Sequence, residues 1–286
     1  MRIIIITFFC LWFNFYNCQL IPYYQNIDLS LNGEMLKQQL SDLIISTHEN
    51  FLPYTSTENF DTWDVIRTSD TYLLDTSKVY LVYGYDDNDA DFENDLSRDK
   101  SLSCHGNDCE GLWNREHIYP KSLATPIMTT DFPGIGTDVH NLRSCDYVTN
   151  STRSNLIFGD GVMNAGLTTF NSWYPGEDWK GDIARIIMYM YLRYPLECNP
   201  LNVGYGSADY SPNGDIPDIF LNWNSLDPVS DFEENRNEVI FNFQGNRNPF
   251  IDNPYLATLI WSGPEAENSW FGVETNKINF ENDFKL

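Results

Sequence analysis

Apolar residues first recur at helical spacing at Leu31, Met35, Leu36, Leu40, Leu43 and Ile44, where positions three and four apart share a helix face. Ser30 or Asn32 stands ahead of them as a candidate cap, so the pattern predicts an N-terminal helix. The period then changes. Lys78-Val79-Tyr80-Leu81-Val82-Tyr83 is rich in β-branched and aromatic residues and stops at Gly84, which predicts a strand. Ile183, Ile186, Ile187, Met190 and Tyr191 return to the helical period until Pro195 ends it, as a core helix would. Ser230 with Glu233 forms a capping box ahead of Phe232, Val239, Ile240 and Phe243, and Gly245 marks the far end of that helix. Between these two helices, residues 199–217 are rich in Pro, Gly and Asn and predict a loop. No repeat and no dividing linker is visible, so the mixture predicts one α+β domain.

The chain's first residues follow a different logic. Arg2 precedes the apolar run from Ile3 to Phe13, shorter than the ~20 residues that span a bilayer, and this predicts a signal peptide over residues 1–18. Cleavage after Cys18 would leave Gln19 first; a lipid-modified Cys18 is the alternative. No other apolar run reaches membrane-spanning length, so the expected destination is the exterior, or the periplasm of a Gram-negative cell. Removing the signal leaves Cys104, Cys109, Cys145 and Cys198, an even number suited to an oxidising compartment. Of the three pairings, Cys104–Cys109 with Cys145–Cys198 is the expectation, the first closing a short loop; a zinc site including His105 is the competing reading.

Charge narrows the functions available. The 17 Lys+Arg against 41 Asp+Glu give a net charge of −24, which repels nucleic acid and anionic membrane at long range unless a locally basic site exists. Residues 115–193 are nearly neutral, with 7 basic and 8 acidic side chains, against 10 and 33 elsewhere. Arg115, Lys121, Arg143, Arg153, Arg185 and Arg193 are therefore candidates for a positive groove, about half of them expected instead to pair with carboxylates. The acidic run from Asp86 to Asp95 invites a calcium reading, but it lacks the EF-hand glycine and has Arg98 where the closing glutamate belongs; a solvated loop is expected.

Candidate chemistry centres on Trp113-Asn114-Arg115-Glu116-His117-Ile118-Tyr119-Pro120 and on Asn150. Neighbouring strand residues face opposite sides, so Glu116 and His117 can share a site only at a strand end or an irregular turn. An asparagine amide oxygen and the Glu116 carboxylate are hard ligands for hydrated Mg²⁺, which leaves His117 free to act as general base on a phosphodiester. Asp138-Val139-His140-Asn141-Leu142-Arg143, Asn150 to Gly159, Gly181-Asp182-Ile183-Ala184-Arg185 and Gln244 to Asp252 follow in order, with Trp63-Asp64-Val65-Ile66 ahead. With these strings the sequence resembles the endonuclease I family of secreted non-specific nucleases, within the ββα-metal, or His-Me finger, superfamily.

That resemblance implies a ββα-metal core with additional helices and long loops, in a single nuclease domain over residues 19–286. It implies His117 as general base at a strand end and one Mg²⁺ on Glu116 and Asn150, with Mn²⁺ or Ca²⁺ as other occupants. Asn150 would sit where the finger helix begins. Arg143 or Arg153 would steady the phosphate, and Arg115 and Asn155 would contact substrate. The substrate is DNA, with RNA as a second, and the products carry 5′-phosphate and 3′-hydroxyl ends; a monomer is expected. His140 is expected to bond backbone, and Asn246-Arg247-Asn248 to clamp the scaffold. Asn150-Ser151-Thr152 also fits the N-glycosylation acceptor pattern, and a glycan on Asn150 would destroy the proposed ligand, so either the cell lacks that machinery, the folded site protects the residue, or Asn155 is the ligand. Two other classes stay open: a secreted glycan-binding module, which the aromatic content would suit, and a protein of this fold that has lost catalysis.

Overall fold

Asp61 begins the part of the chain that positions the site: its carboxylate accepts from the backbone N–H groups of Trp63 and Asp64, and Asp64 returns the bond, a complete capping box. The structure, a computed structural model, describes residues 21–270. The predicted signal peptide lies outside the described residues. Those described fall into two compact units. One comprises residues 21–26 with Trp270, where the Tyr24 and Trp270 rings lie 4.9 Å apart. The other, Ile27–Ser269, holds everything that follows.

The larger unit runs through α1 (Gly33–Thr47), α2 (Thr62–Ser69), β1 (Lys78–Tyr80), β2 (Ser97–Asp99), β3 (Trp113–His117) and β4 (Leu142–Asp146). It continues with α3 (Tyr147–Arg153), β5 (Gly166–Leu167), β6 (Trp173–Tyr174), α4 (Lys180–Arg193), α5 (Asp218–Leu226), α6 (Asp231–Gln244), α7 (Pro249–Asp252) and α8 (Tyr255–Trp261). The strands form three antiparallel pairs, β1–β2, β3–β4 and β5–β6. The mixture of helices and small sheets is the expected α+β class.

Burial explains the arrangement. α1 hides Leu36, Leu40 and Ile44 on one stripe, with Asn32 at the cap position but making no side-chain bond. α4 is buried almost all round, from Gly181 to Leu192 apart from Tyr191, and packs against α1, α5 and α7 as the central helix. α6 has the predicted capping box at Ser230 and ends at Gly245 with φ +90°, where a Cβ would come within 2.5 Å of the Thr47 carbonyl oxygen. The main apolar cluster joins Trp63, Val65 and Ile66 of α2 to Val79, Trp113, Leu142 and Ile240. β3 and β4 therefore have a fixed floor, and the short helix α3 follows β4 without a break.

Candidate active site

The β3–β4 register places Trp113 opposite Asp146 and His117 opposite Leu142. β3 ends at His117, the Ile118 N–H donates to Asn141 O, and Asn141 brackets the next residue by accepting from Tyr119 N at 2.7 Å and donating to Tyr119 O at 3.1 Å. The strand end lets neighbours share one cleft. Asp146 turns the chain from β4 into α3, its carboxylate accepting from Val148 N at 2.7 Å and Thr149 N at 2.9 Å. The result is an open cleft of about 430 Å³ lined by Tyr54, Arg115, Glu116, His117, Lys121, Ser122, Asn150 and Asn155 among others.

His117 is held in a defined state. Its Nε2 lies 2.9 Å from the carbonyl oxygen of Gly136. A carbonyl only accepts, so Nε2 carries the hydrogen and Nδ1 keeps its lone pair. Burial pushes the imidazole pKa down to about 3, and the nearby cations of Lys121, Arg115 and Arg153 add to this; the ring is neutral at physiological pH. Gly136 is tightly enclosed, since a Cβ there would meet Thr129 O at 2.1 Å.

Glu116 is 3% exposed. Tyr83 Oη donates to its Oε1 at 3.2 Å, and an Arg153 guanidinium nitrogen lies 3.0 Å from the same oxygen. Burial pushes the Glu116 pKa up to about 7, outweighing Arg153 and Tyr83, so the carboxylate is incompletely compensated. Asn150 Nδ2 donates to Asn114 Oδ1 at 2.7 Å, which orients the amide and leaves the Asn150 oxygen as acceptor. Glu116 and Asn150 line the same cleft, and a carboxylate and an amide oxygen are both hard oxygen donors, the type a hydrated divalent cation takes.

The arginines divide sharply. Arg143 was a candidate for the phosphate, but it is buried with Nε 3.2 Å from Asp70 and a terminal nitrogen 3.1 Å from Asp182, away from the cleft lining. Arg153 is fully buried and donates to the carbonyl oxygens of His117 at 3.1 Å and Ile118 at 2.8 Å while pairing with Glu116; it clamps the strand end from beneath. Arg185 pairs with Glu233, and Arg193 faces His48. Of the six candidate cations only Arg115 and Lys121 line the cleft. Arg115 is sandwiched between the Tyr54 and Trp63 rings, at 3.3 and 4.0 Å, and donates to Tyr54 O and Thr62 Oγ1. Burial pushes its pKa down to about 10, which still leaves it charged.

Other expectations met mixed outcomes. Cys104 and Cys109 are bonded, but Cys145 and Cys198 are free and buried, which corrects the second pairing. Cys145 Sγ faces the Val82 carbonyl across β4, while Cys198 lies beyond α4 near Tyr119 and Tyr194; the two thiols occupy different parts of the core. Asn150 sits within α3, one turn past its start, because Asp146 is the cap. Asn155 is exposed and donates to Ser122 Oγ at 3.2 Å. His140 bonds the Asn246 carbonyl, and Asn248 donates to Arg185 O, as scaffold residues would. Tyr54 and Ser122 carried no sequence signal, and nothing local marked Tyr83 or Gly136 as partners of Glu116 and His117.

Two antiparallel strands and a short helix thus frame one cleft that Glu116, His117 and Asn150 line together, and comparison with known proteins shows the family. Residues 32–255 match the Endonuclease I family, and the chain belongs to it, among the nucleases. It is 36% identical over 255 residues to an extracellular ribonuclease of Bacillus subtilis (strain 168), covering 84% of this chain and 78% of that one. An extracellular ribonuclease of Bacillus amyloliquefaciens is 35% identical over 243 residues, 80% of this chain and 75% of that one. Endonuclease-1 of Buchnera aphidicola (subsp. Acyrthosiphon pisum, strain APS) is 28% identical over 126 residues, 41% and 45% of the two chains. Among the described residues no helix is long and apolar enough to cross a membrane.

Proposed function

We propose that the chain is a secreted, metal-dependent endonuclease of the ββα-metal type, cleaving phosphodiester bonds with little sequence preference. The observation that carries this reading is the meeting of Glu116, His117 and Asn150 in one cleft, with the His117 ring fixed so that Nδ1 is the basic nitrogen. Nδ1 takes a proton from water as the water oxygen attacks phosphorus. The P–O3′ bond breaks, the leaving 3′ oxygen takes up a proton from solvent, and the new P–O bond leaves a 5′-phosphate. Arg115 and Lys121 bind the flanking phosphates, with Asn155 at the cleft edge. Arg153 is a positioning residue that keeps Glu116 and the strand end in place. A divalent cation on Glu116 and Asn150 would supply neutralisation of charge on the phosphate and the leaving oxygen.

RNA stands beside DNA as substrate because both Bacillus relatives are named ribonucleases. The test is cleavage of plasmid DNA and of a long RNA, with Mg²⁺ and with EDTA. EDTA should silence the wild type, and His117→Ala should lower the rate by ~10² or more while metal-dependent binding of nucleic acid persists. Near-normal turnover in that variant would rule out His117 as the base.

A further inference from the structure

A second cavity, of about 250 Å³, adjoins the candidate active site and shares Tyr54 and Arg115 with it. Its lining includes Cys104, His105 and Gly106 of the loop closed by the Cys104–Cys109 disulfide. The wall between the two cavities is a row of packed π-groups. His117 and Tyr54 lie 5.7 Å apart at 29°. The Arg115 guanidinium lies between Tyr54 and Trp63, and the Trp63 and His105 rings are 4.3 Å apart. The row thus runs unbroken from the proposed base to the disulfide loop. Hydrolysis needs nothing beyond Arg115, yet the row continues and ends in solvent: Trp63 is 4% exposed, whereas His105 is exposed.

The terminal ring is also held. Ser103 Oγ accepts from Arg67 at 2.9 Å and lies 3.0 Å from His105 Nε2, so the serine hydrogen is available to the imidazole. Partial burial, with the charges of Arg67 and Arg115, lowers the His105 pKa below the ordinary histidine value, and the imidazole offers a flat face. Asn114, in the same lining, uses its oxygen to accept from Asn150 and keeps its own amide N–H groups for a ligand.

We propose that this cavity is a subsite for one unpaired nucleotide next to the scissile phosphate. Its base stacks on His105, an acceptor on the base takes the Asn114 amide, and its phosphate meets Arg115 in the shared wall. The inference rests on the nuclease reading above. A base can enter a recess beside an aromatic ring only when it is free of its partner, so single strands and loops fit where a stacked pair does not.

The test is steady-state cleavage, by the full mature chain with Mg²⁺, of a single-stranded oligonucleotide and of the same sequence in a duplex, run for DNA and for RNA. For the single strand, His105→Ala should raise KM about tenfold with kcat little changed, the loss of one base–aromatic stack. His105→Phe should restore most of the wild-type KM, and the duplex should respond less than the single strand. A single-strand KM that is unmoved in His105→Ala overturns the subsite alone, as does a loss that His105→Phe fails to restore. A wild type that cleaves neither nucleic acid overturns the nuclease reading and the subsite with it.

Discussion

Glu116 and His117 are chemically opposed by one environment: burial drives the carboxyl pKa up to about 7 and the imidazole pKa down to about 3. Burial thus keeps the proposed base unprotonated, and a divalent cation at the proposed site would have to displace the proton that burial favours on Glu116 near neutrality. The oxygen pair makes a direct prediction. In Mg²⁺ titrations of cleavage, Asn150→Ala should require a much higher Mg²⁺ concentration for half-maximal rate, and Glu116→Ala more so, because each removes an oxygen from a site with few protein ligands. Asn155→Ala should leave the Mg²⁺ midpoint near wild type and alter KM instead; the reverse outcome would move the ligand five positions along the chain. Glu116-His117 alone is a weak signal, and it was legible as a candidate site only through the Asp138–Arg143 and Asn150–Gly159 strings that follow it in order. The roles of the arginines were not. Nothing in local spacing separates an exposed guanidinium from one that, like Arg143 or Arg153, is enclosed by partners distant in sequence.

Elements were read best where their ends carried signals. Ser230, Glu233 and Gly245 delimit α6 closely, and Pro195 lies just beyond α4. α5 and α8 gave no comparable signal. α5 contains Ile219-Phe220-Leu221 and then Trp223, buried on most sides, so no polar face revealed a helical period. The Cys145–Cys198 pairing failed similarly, since composition supplies an even count and only the fold supplies distance. α3 depends on Asp146, which caps the helix and also pairs with the buried Arg98. Asp146→Ala should therefore cost about 2 kcal/mol or more in unfolding free energy, because it removes a cap and the closer carboxylate of the buried Arg98, which keeps Asp95 at 3.1 Å. Ser230→Ala, with only its capping box lost, should cost about 1 kcal/mol. Chemical denaturation of both variants compares them, and only the first should also lower activity, since α3 carries Asn150.

Between elements, Asp70 joins α2 to β4 and α6 through Arg143 and Arg236. Burial pushes the Asp70 carboxyl up, but Arg236 and Arg143 outweigh it and hold the pKa below the ordinary carboxylate value. The unfolded chain then binds this proton more readily than the folded one. Stability from Asp70 is present above the ordinary carboxylate range and is lost as pH falls through and below it. Thermal melts of the wild type should show that acid limb, and Asp70→Asn should flatten it while lowering stability near neutrality.

At the scale of the whole molecule, the question is how a chain of net charge −24 takes a polyanion as substrate. The fold sharpens the problem. Arg143, Arg153 and Arg185 spend their charge on buried carboxylates, which leaves Arg115 and Lys121 as the cations of the cleft lining. Two exposed or half-exposed cations act at contact distance, whereas the acidic excess, 33 Asp+Glu against 10 Lys+Arg outside residues 115–193, acts at long range. Salt separates these contributions. The Debye length falls from ~30 Å at 0.01 M to ~8 Å at 0.15 M, so distant repulsion is screened before close phosphate contacts are. Cleavage at constant Mg²⁺ should therefore rise from very low monovalent salt to a moderate optimum, then fall as phosphate contacts weaken. Lys121→Ala should lower the rate across the range and make the fall beyond the optimum shallower, since one phosphate contact fewer remains to be screened. A rate that declines steadily from the lowest salt would mean that the field of the cleft outweighs the acidic surface, and that Arg115 and Lys121 already attract substrate from a distance.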